Sequence, residues 1–303
     1  MGCTVEAVGL RKVYRAGFEA VKGVSLRVGA GETASLMGPN GSGKTTTLQM
    51  IAGVLRPTAG VVRVCGYDVW GDGWERARSL VGFAPQDPPF PRSLTGLEAL
   101  EVLAGLFGVG RAGVRSDAGM LLEELGFPGL LGVRVSRMSG GQRRALTIVL
   151  ALLGEPEVLV LDEPSSGLDP RARERLWGSI SKLMRGRTVL FSTHDPGEAE
   201  EVSTATFIFH RGRVAAAGRP KELIERYAPR ARVRVWSSSP PPPSLRARRS
   251  SGGFAEFEVE SERDVAAIVA AYAEAGLPVE RVELVRPGLR EVFFEVTGEE
   301  LEG

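Results

Sequence analysis

The eight residues Gly38-Pro39-Asn40-Gly41-Ser42-Gly43-Lys44-Thr45 constrain this chain more than any other stretch. They fit the pattern G-x-x-x-x-G-K-[ST], a loop whose backbone N–H groups close around phosphate oxygens. The surroundings fit as well. Residues 33–37 are an apolar run suited to a buried strand, and residues 45–51 leave the loop with helical spacing. A strand–loop–helix order points N–H groups and the positive end of a helix dipole at one spot, which suits an anion. Glycines let the backbone approach phosphate with no Cβ in the way. Lys44 would add a mobile charge on the outer phosphates, and the Thr45 hydroxyl would ligate Mg²⁺. Thr46 follows as a further nucleotide-binding position.

The composition narrows the classes. At 303 residues the chain is long enough for about two domains, each with its own core. A net charge of +1 gives no strong field for nucleic acid, and no nucleic-acid partner is expected. Residues 1–10 are too polar for a secretory leader. The longest apolar stretch, residues 145–153, falls far short of the ~18 residues of a membrane span. Any work at a membrane would need a second chain to supply the spans. Cys3 and Cys65 have neither a pairing pattern nor metal-ligand spacing, so free thiols in a reducing compartment are expected.

Along the chain, residues 5–10 and 20–28 read as strands of an antiparallel opening, and residues 61–64 as a further short strand. Residues 81–84, 158–161 and 188–192 are apolar runs expected of strands in a parallel sheet. Residues 171–184 and 197–202 read as helices between and after them, which predicts an α/β domain. A helical insert is expected between sheet strands at about 88–145, with Leu97, Leu100, Leu103, Leu106 and Phe107 on one stripe and a Gly-rich break at 108–113. Past residue 227 the pattern changes to a small α+β domain, residues 228–303. Its Pro-rich stretch 237–244 and its basic run 246–249 are expected to be solvated loops.

Downstream motifs carry the chemistry. Asp162 and Glu163 close the apolar run 158–161 at a strand's carboxyl end, where α/β sheets place ligands. Asp162 can hold Mg²⁺, and Glu163 is suited as general base for water attacking a γ-phosphate. Ser139-Gly140-Gly141-Gln142 opens a helix and forms a second anion-facing loop. One nucleotide does not obviously need both loops from one chain. A symmetric dimer resolves this, with each nucleotide held between one subunit's Lys44 loop and the other's Ser139 loop.

These motifs resemble the ATPase subunits of ATP-binding cassette (ABC) transporters. Residues 38–45 match the Walker A motif, and 158–163 match Walker B. Residues 139–142 match the signature motif, with Met138 where leucine is usual. Gln86 matches the Q-loop, Ser166-Gly167-Leu168-Asp169 the D-loop, and His194 the switch histidine. Tyr14 fits the aromatic that stacks on adenine. All occur in the family's order over residues 1–227. The resemblance implies a P-loop NTPase cassette: a mainly parallel sheet, an antiparallel N-terminal subdomain and a helical insert. It also implies that Thr45, Gln86 and Asp162 serve Mg²⁺, that Glu163 is the base, that His194 contacts the γ-phosphate and that Asp169 orders the dimer interface. ATP, a homodimer and a separate membrane permease follow, with the chain peripheral on the cytoplasmic face of the cell membrane.

The tail Leu289-Arg290-Glu291-Val292-Phe293-Phe294-Glu295-Val296-Thr297-Gly298 resembles the closing motif of ATPases paired with ABC-2-type permeases, a group that includes drug, antibiotic, polysaccharide and lipid exporters. The alternative is a soluble cassette ATPase without a membrane partner. A GTPase is disfavoured because Asn40 is the sole asparagine, so no Asn-Lys-x-Asp segment exists.

Overall fold

The computed structural model describes residues 2–15, 17–87, 90–106, 113–251 and 253–301. The expected break at 108–113 lies almost wholly outside them, as does Phe107. The chain divides into two compact units, Met1–Pro220 with Leu301–Gly303, and Lys221–Glu300.

In the first unit, β1 (Val5–Val13) and β2 (Glu19–Val28) pair antiparallel. β3 (Thr33–Met37) runs into α1 (Lys44–Ile51). β4 (Ala59–Val64) and β5 (Tyr67–Asp68) complete a sheet of order β2-β1-β4-β5. A short α2 (Trp74–Ser79) precedes β6 (Val81–Ala84). The helical insert is α3 (Gly96–Leu106), α4 (Val114–Glu124) and the start of α5 (Gly140–Leu152). Then come β7 (Val158–Asp162), α6 (Pro170–Leu183), β8 (Thr188–Thr193), α7 (Pro196–Val202), β9 (Ala205–His210) and β10 (Arg213–Gly218). The second sheet runs β10-β9-β3-β8-β7-β6, parallel except for β10.

Burial on both faces explains the unbroken apolar runs. In β7, Leu159 and Leu161 enter one core with Leu100, Leu122, Ile148 and Trp177 of the helices. Val158 and Val160 enter the other, with Val5, Leu36, Leu48 and Phe209. A strand of period two must be apolar at every position to serve two cores. Because β3 lies inside this parallel sheet, its carboxyl end opens beside those of β7 and β8.

The cysteines are not free thiols. Cys3 and Cys65 form a disulfide, with Cα atoms 4.6 Å apart. The pairing follows from the sheet: Val5 lies opposite Val64 across β1 and β4, so the residues just outside that pair meet. The two positions are 62 residues apart in sequence, and nothing in their spacing announces a sheet neighbour.

α8 (Pro220–Tyr227) leads into the second unit and, after its first residue, belongs to it. The second unit contains β11 (Ala231–Trp236), β12 (Arg249–Ser251), β13 (Phe254–Val259), α9 (Glu262–Glu274), β14 (Arg281–Val285) and α10 (Leu289–Thr297). Its antiparallel sheet has the order β12-β13-β11-β14. Val233, Val235, Phe257 and Val259 pack with Ile268 and Tyr272 of α9. Arg232 is buried and pairs with Glu256 at 3.6 Å and with Glu295 of α10 at 2.9 Å. The basic run 246–249 is not simply a solvated loop. Arg248 pairs with Glu258 at 3.3 Å and also with Glu295, and Arg249 begins β12 and pairs with Glu300 at 3.1 Å. The run faces acidic residues of β13 and the tail helix, which no local pattern reveals. Among the described residues no helix is long and apolar enough to cross a membrane.

Candidate nucleotide site

The phosphate loop hangs from β3, whose last four residues are buried. Gly38 N–H donates to the Thr193 carbonyl at 3.2 Å, which ties the loop to the end of β8. A Cβ on Gly38 would lie 2.2 Å from the Phe209 carbonyl oxygen. Gly43 has φ +103° and its Cβ would meet the Ala20 oxygen at 2.7 Å. Both positions therefore require glycine for packing as well as for phosphate approach. Pro39, Asn40, Gly41 and Ser42 complete the turn, and the buried Ser42 hydroxyl oxygen has no partner.

Lys44 opens α1 and is buried. Its ammonium donates to the Gly38 and Pro39 carbonyls at 2.6 and 2.9 Å, so the lysine closes over its own loop. Burial lowers its affinity for a proton, and the Glu163 and Asp162 carboxylates work against that shift.

Thr45, Asp162, Glu163, Gln86 and His194 form one cluster. The Thr45 hydroxyl donates to Asp162 Oδ1 at 3.0 Å, and the Ser192 hydroxyl donates to the same oxygen at 2.6 Å. Asp162 Oδ2 is buried and unpartnered. Gln86 Nε2 donates to Glu163 Oε2 at 3.3 Å, and His194 Nδ1 lies 3.4 Å from Glu163 Oε1. Gln86 thus contacts the Glu163 carboxylate, and no hydrogen bond joins it to Asp162 among the described residues. Glu163 itself adopts φ +47°, a left-handed conformation uncommon for a side chain of its size. Its N–H donates to Ser192 Oγ at 2.9 Å, so Ser192 holds both acidic residues.

Tyr14 lies near the entrance to the loop. It is 39% exposed, with its hydroxyl 3.3 Å from Thr46 Oγ1 and the Lys12 ammonium 5.6 Å from its ring centroid. Phe18, 64% exposed, lies on the same β1–β2 turn, and no motif singles it out. The other set of candidates makes its own hydrogen bonds. Ser139 caps α5: its hydroxyl accepts from Gln142 N–H at 3.2 Å, and Ser139 N–H donates to Gln142 Oε1 at 2.8 Å. Ser139 and Gly140 are exposed, a Cβ on Gly141 would lie 3.3 Å from Leu168 Cδ2, and no hydrogen bond joins residues 139–142 to residues 38–45 among the described residues. Asp169 caps α6 by accepting from Ala172 N–H at 3.0 Å, and it too is exposed.

Asp162 carries the clearest electrostatic cost. Burial pushes its carboxyl above the usual range, and the Ser192 and Thr45 hydrogen bonds offset part of that. A folded-state value above the unfolded one means that the charged form destabilises the fold at neutral pH and that this cost disappears as pH falls through the folded value. Asp162→Asn removes the charge while its oxygen still accepts both hydroxyls. It should melt higher at pH 7 without added nucleotide. The difference should shrink as pH is lowered. Calorimetry that found Asp162→Asn less stable at neutral pH would refute this reading of the buried charge.

Comparison with known proteins agrees with this geometry. The ABC transporter family model matches residues 21–166. The chain is 36% identical to the Nod factor export ATP-binding protein I of Burkholderia orbicola, over 93% of each chain. Among solved structures it resembles an ATP-binding subunit of an ABC transporter, with 32% identity and a TM-score of 0.64 over 73% of this chain and 92% of the other. A dimeric ATP-binding cassette in a post-hydrolysis state with ADP and Pi matches with 27% identity and a TM-score of 0.64, over 71% of this chain and 98% of the other. With the phosphate loop on β3, Asp162 and Glu163 at the end of β7 and His194 just past β8, the chain belongs to the ABC transporter family, as one of its ATP-binding, ATP-hydrolysing subunits.

Proposed function

We propose that this chain is the motor of an exporter. Two copies close around two Mg-ATP, and hydrolysis reopens them to drive a separate ABC-2-type permease from the cytoplasmic face of the cell membrane. The observation that carries the exporter reading is the extent of the likeness to an export ATP-binding protein, 93% of each chain, which takes in most of the second unit as well as the cassette. Residues 228–303 are then an accessory domain of that class of subunit.

The residues suit the chemistry. Lys44 would exchange the Gly38 and Pro39 carbonyls for the outer phosphate oxygens of ATP. Tyr14 is exposed enough to stack on the adenine. Glu163 would take a proton from water as its oxygen attacks the γ-phosphorus, and the bond to the ADP oxygen breaks to leave ADP and Pi. His194 and Gln86 hold that carboxylate from either side. The donor set fits Mg²⁺: the Thr45 hydroxyl and Asp162 offer hard oxygens, and Asp162 Oδ2 lacks any other partner. Bound there, Mg²⁺ would neutralise charge building on the phosphate oxygens. The exposed Ser139 loop, with no hydrogen bond to the 38–45 loop of its own chain among the described residues, is free to meet the nucleotide of a second copy.

Co-purification tests the partner. A tagged chain drawn from its native membranes should bring down a polytopic membrane protein in comparable amount, identified by mass spectrometry. Recovery with soluble proteins only, or alone, would move this chain to the cassette ATPases that work without a permease.

A further inference from the structure

We propose that Arg144 is a positioning residue that ties the helix behind the Ser139 loop to the backbone of Glu163, so that a nucleotide bound at one site of the dimer sets the base at the other. The proposal rests on the motor reading above and deepens it.

Arg144 lies in the second turn of α5 and is partly buried. Its Nη1 donates to two main-chain oxygens, Asp162 at 3.0 Å and Glu163 at 2.6 Å. These belong to the two acidic residues of the site, whose side chains point elsewhere. The Glu163 backbone needs such support. It adopts a left-handed conformation, and Pro164 follows it, which further restricts the residue before it. A charged donor on both carbonyls favours the strained arrangement over a relaxed flip of the peptide. Burial works against charge on the guanidinium, and the carboxylates of Asp162, Glu163 and Asp87 counter it. The arginine is therefore also a counter-charge for the acidic cluster.

The helix is built to transmit a displacement. A reciprocal pair of hydrogen bonds between Ser139 and Gln142 fixes its first turn. Arg143 Nη1 donates back to the Met138 carbonyl at 2.5 Å. Residues 145–152 are buried, so α5 moves as a body or not at all. One end of that body would touch the partner's nucleotide through the exposed loop. Arg144, five residues along, holds the peptide that aims this subunit's own Glu163. Because its hydrogen bonds go to main-chain oxygens of Asp162 and Glu163, Arg144 acts through Glu163 and not by touching ATP.

The test uses the full chain, with ATP affinity, kcat, KM, Hill coefficient and melting temperature measured for wild type, Arg144→Ala and Arg144→Lys. Losing a charged hydrogen bond to each carbonyl should lower kcat roughly 10- to 100-fold in Arg144→Ala. ATP affinity should stay within about twofold, since the 38–45 loop is untouched. The Hill coefficient should fall towards one. Arg144→Lys keeps the charge with a single reaching group and should fall between the two; it carries the test if the alanine variant does not fold. Wild-type kcat in Arg144→Ala, equal losses of kcat and affinity, or a Hill coefficient that no substitution moves would overturn the proposal. A wild-type chain that hydrolyses no ATP would instead overturn the motor reading beneath it.

Discussion

Glu163→Gln will bind ATP as well as the wild type, or more tightly, and will hydrolyse it roughly 10²- to 10⁴-fold more slowly. Glu163 is nearly buried, with one carboxylate oxygen 3.3 Å from Gln86 Nε2 and the other 3.4 Å from His194 Nδ1. The amide has the same shape and can still accept from Gln86. It cannot take a proton from water. It also removes a negative charge from the pocket that receives the triphosphate, so affinity has no reason to fall. Binding continues while opening through hydrolysis is blocked, and the variant should therefore accumulate as an ATP-dependent dimer. Phosphate release, ATP titration and light scattering read the three effects separately. Turnover within tenfold of wild type would remove Glu163 as the base. Retained binding with only monomer at saturating Mg-ATP would remove the sandwich.

How much of this was legible in the sequence depends on the range of each interaction. β7 announces itself because a strand serving two cores is apolar along its length, and Val158 to Leu161 read that way without neighbours; β3 and β8 show the same pattern interrupted by small hydroxyl residues. The phosphate loop is legible for a similar reason, since glycine, lysine and threonine act at adjacent positions. Other features depend on partners far along the chain. α2 is too short for periodicity to declare itself. The salt bridges of Arg248 and Arg249 involve acidic residues on β13, α10 and beyond, so the run reads locally as a solvated loop. Ser192 and Arg144 are less visible still. Ser192 is one hydroxyl in a buried strand, and Arg144 bonds to main-chain carbonyls that every sequence carries. A side chain whose partner is backbone leaves no complementary residue to find.

The second large effect concerns the disulfide, and it too was hidden by separation in sequence. Reducing Cys3–Cys65 should lower the melting temperature by roughly 8–16 °C. The bridge closes a loop across a separation of 62 residues that contains β1, β2, β3, the whole phosphate loop and α1. In the chain-entropy account, restricting an unfolded loop of that size stabilises the fold by about 4 kcal/mol. For a unit of this size each kcal/mol moves the midpoint by about 2–4 °C. The native fold needs little adjustment when the bond opens, because Val5–Val64 pairing and the Cys65 N–H to Thr4 carbonyl bond at 2.9 Å hold the strands independently. ATP turnover well below the midpoint should therefore be unchanged by reduction. A Cys3→Ala/Cys65→Ala variant should melt with the reduced protein and be insensitive to reductant. Equal melting of wild type with and without reductant would mean the thiols are not joined. Loss of turnover at low temperature would mean that the staple shapes the phosphate loop as well as stabilising it.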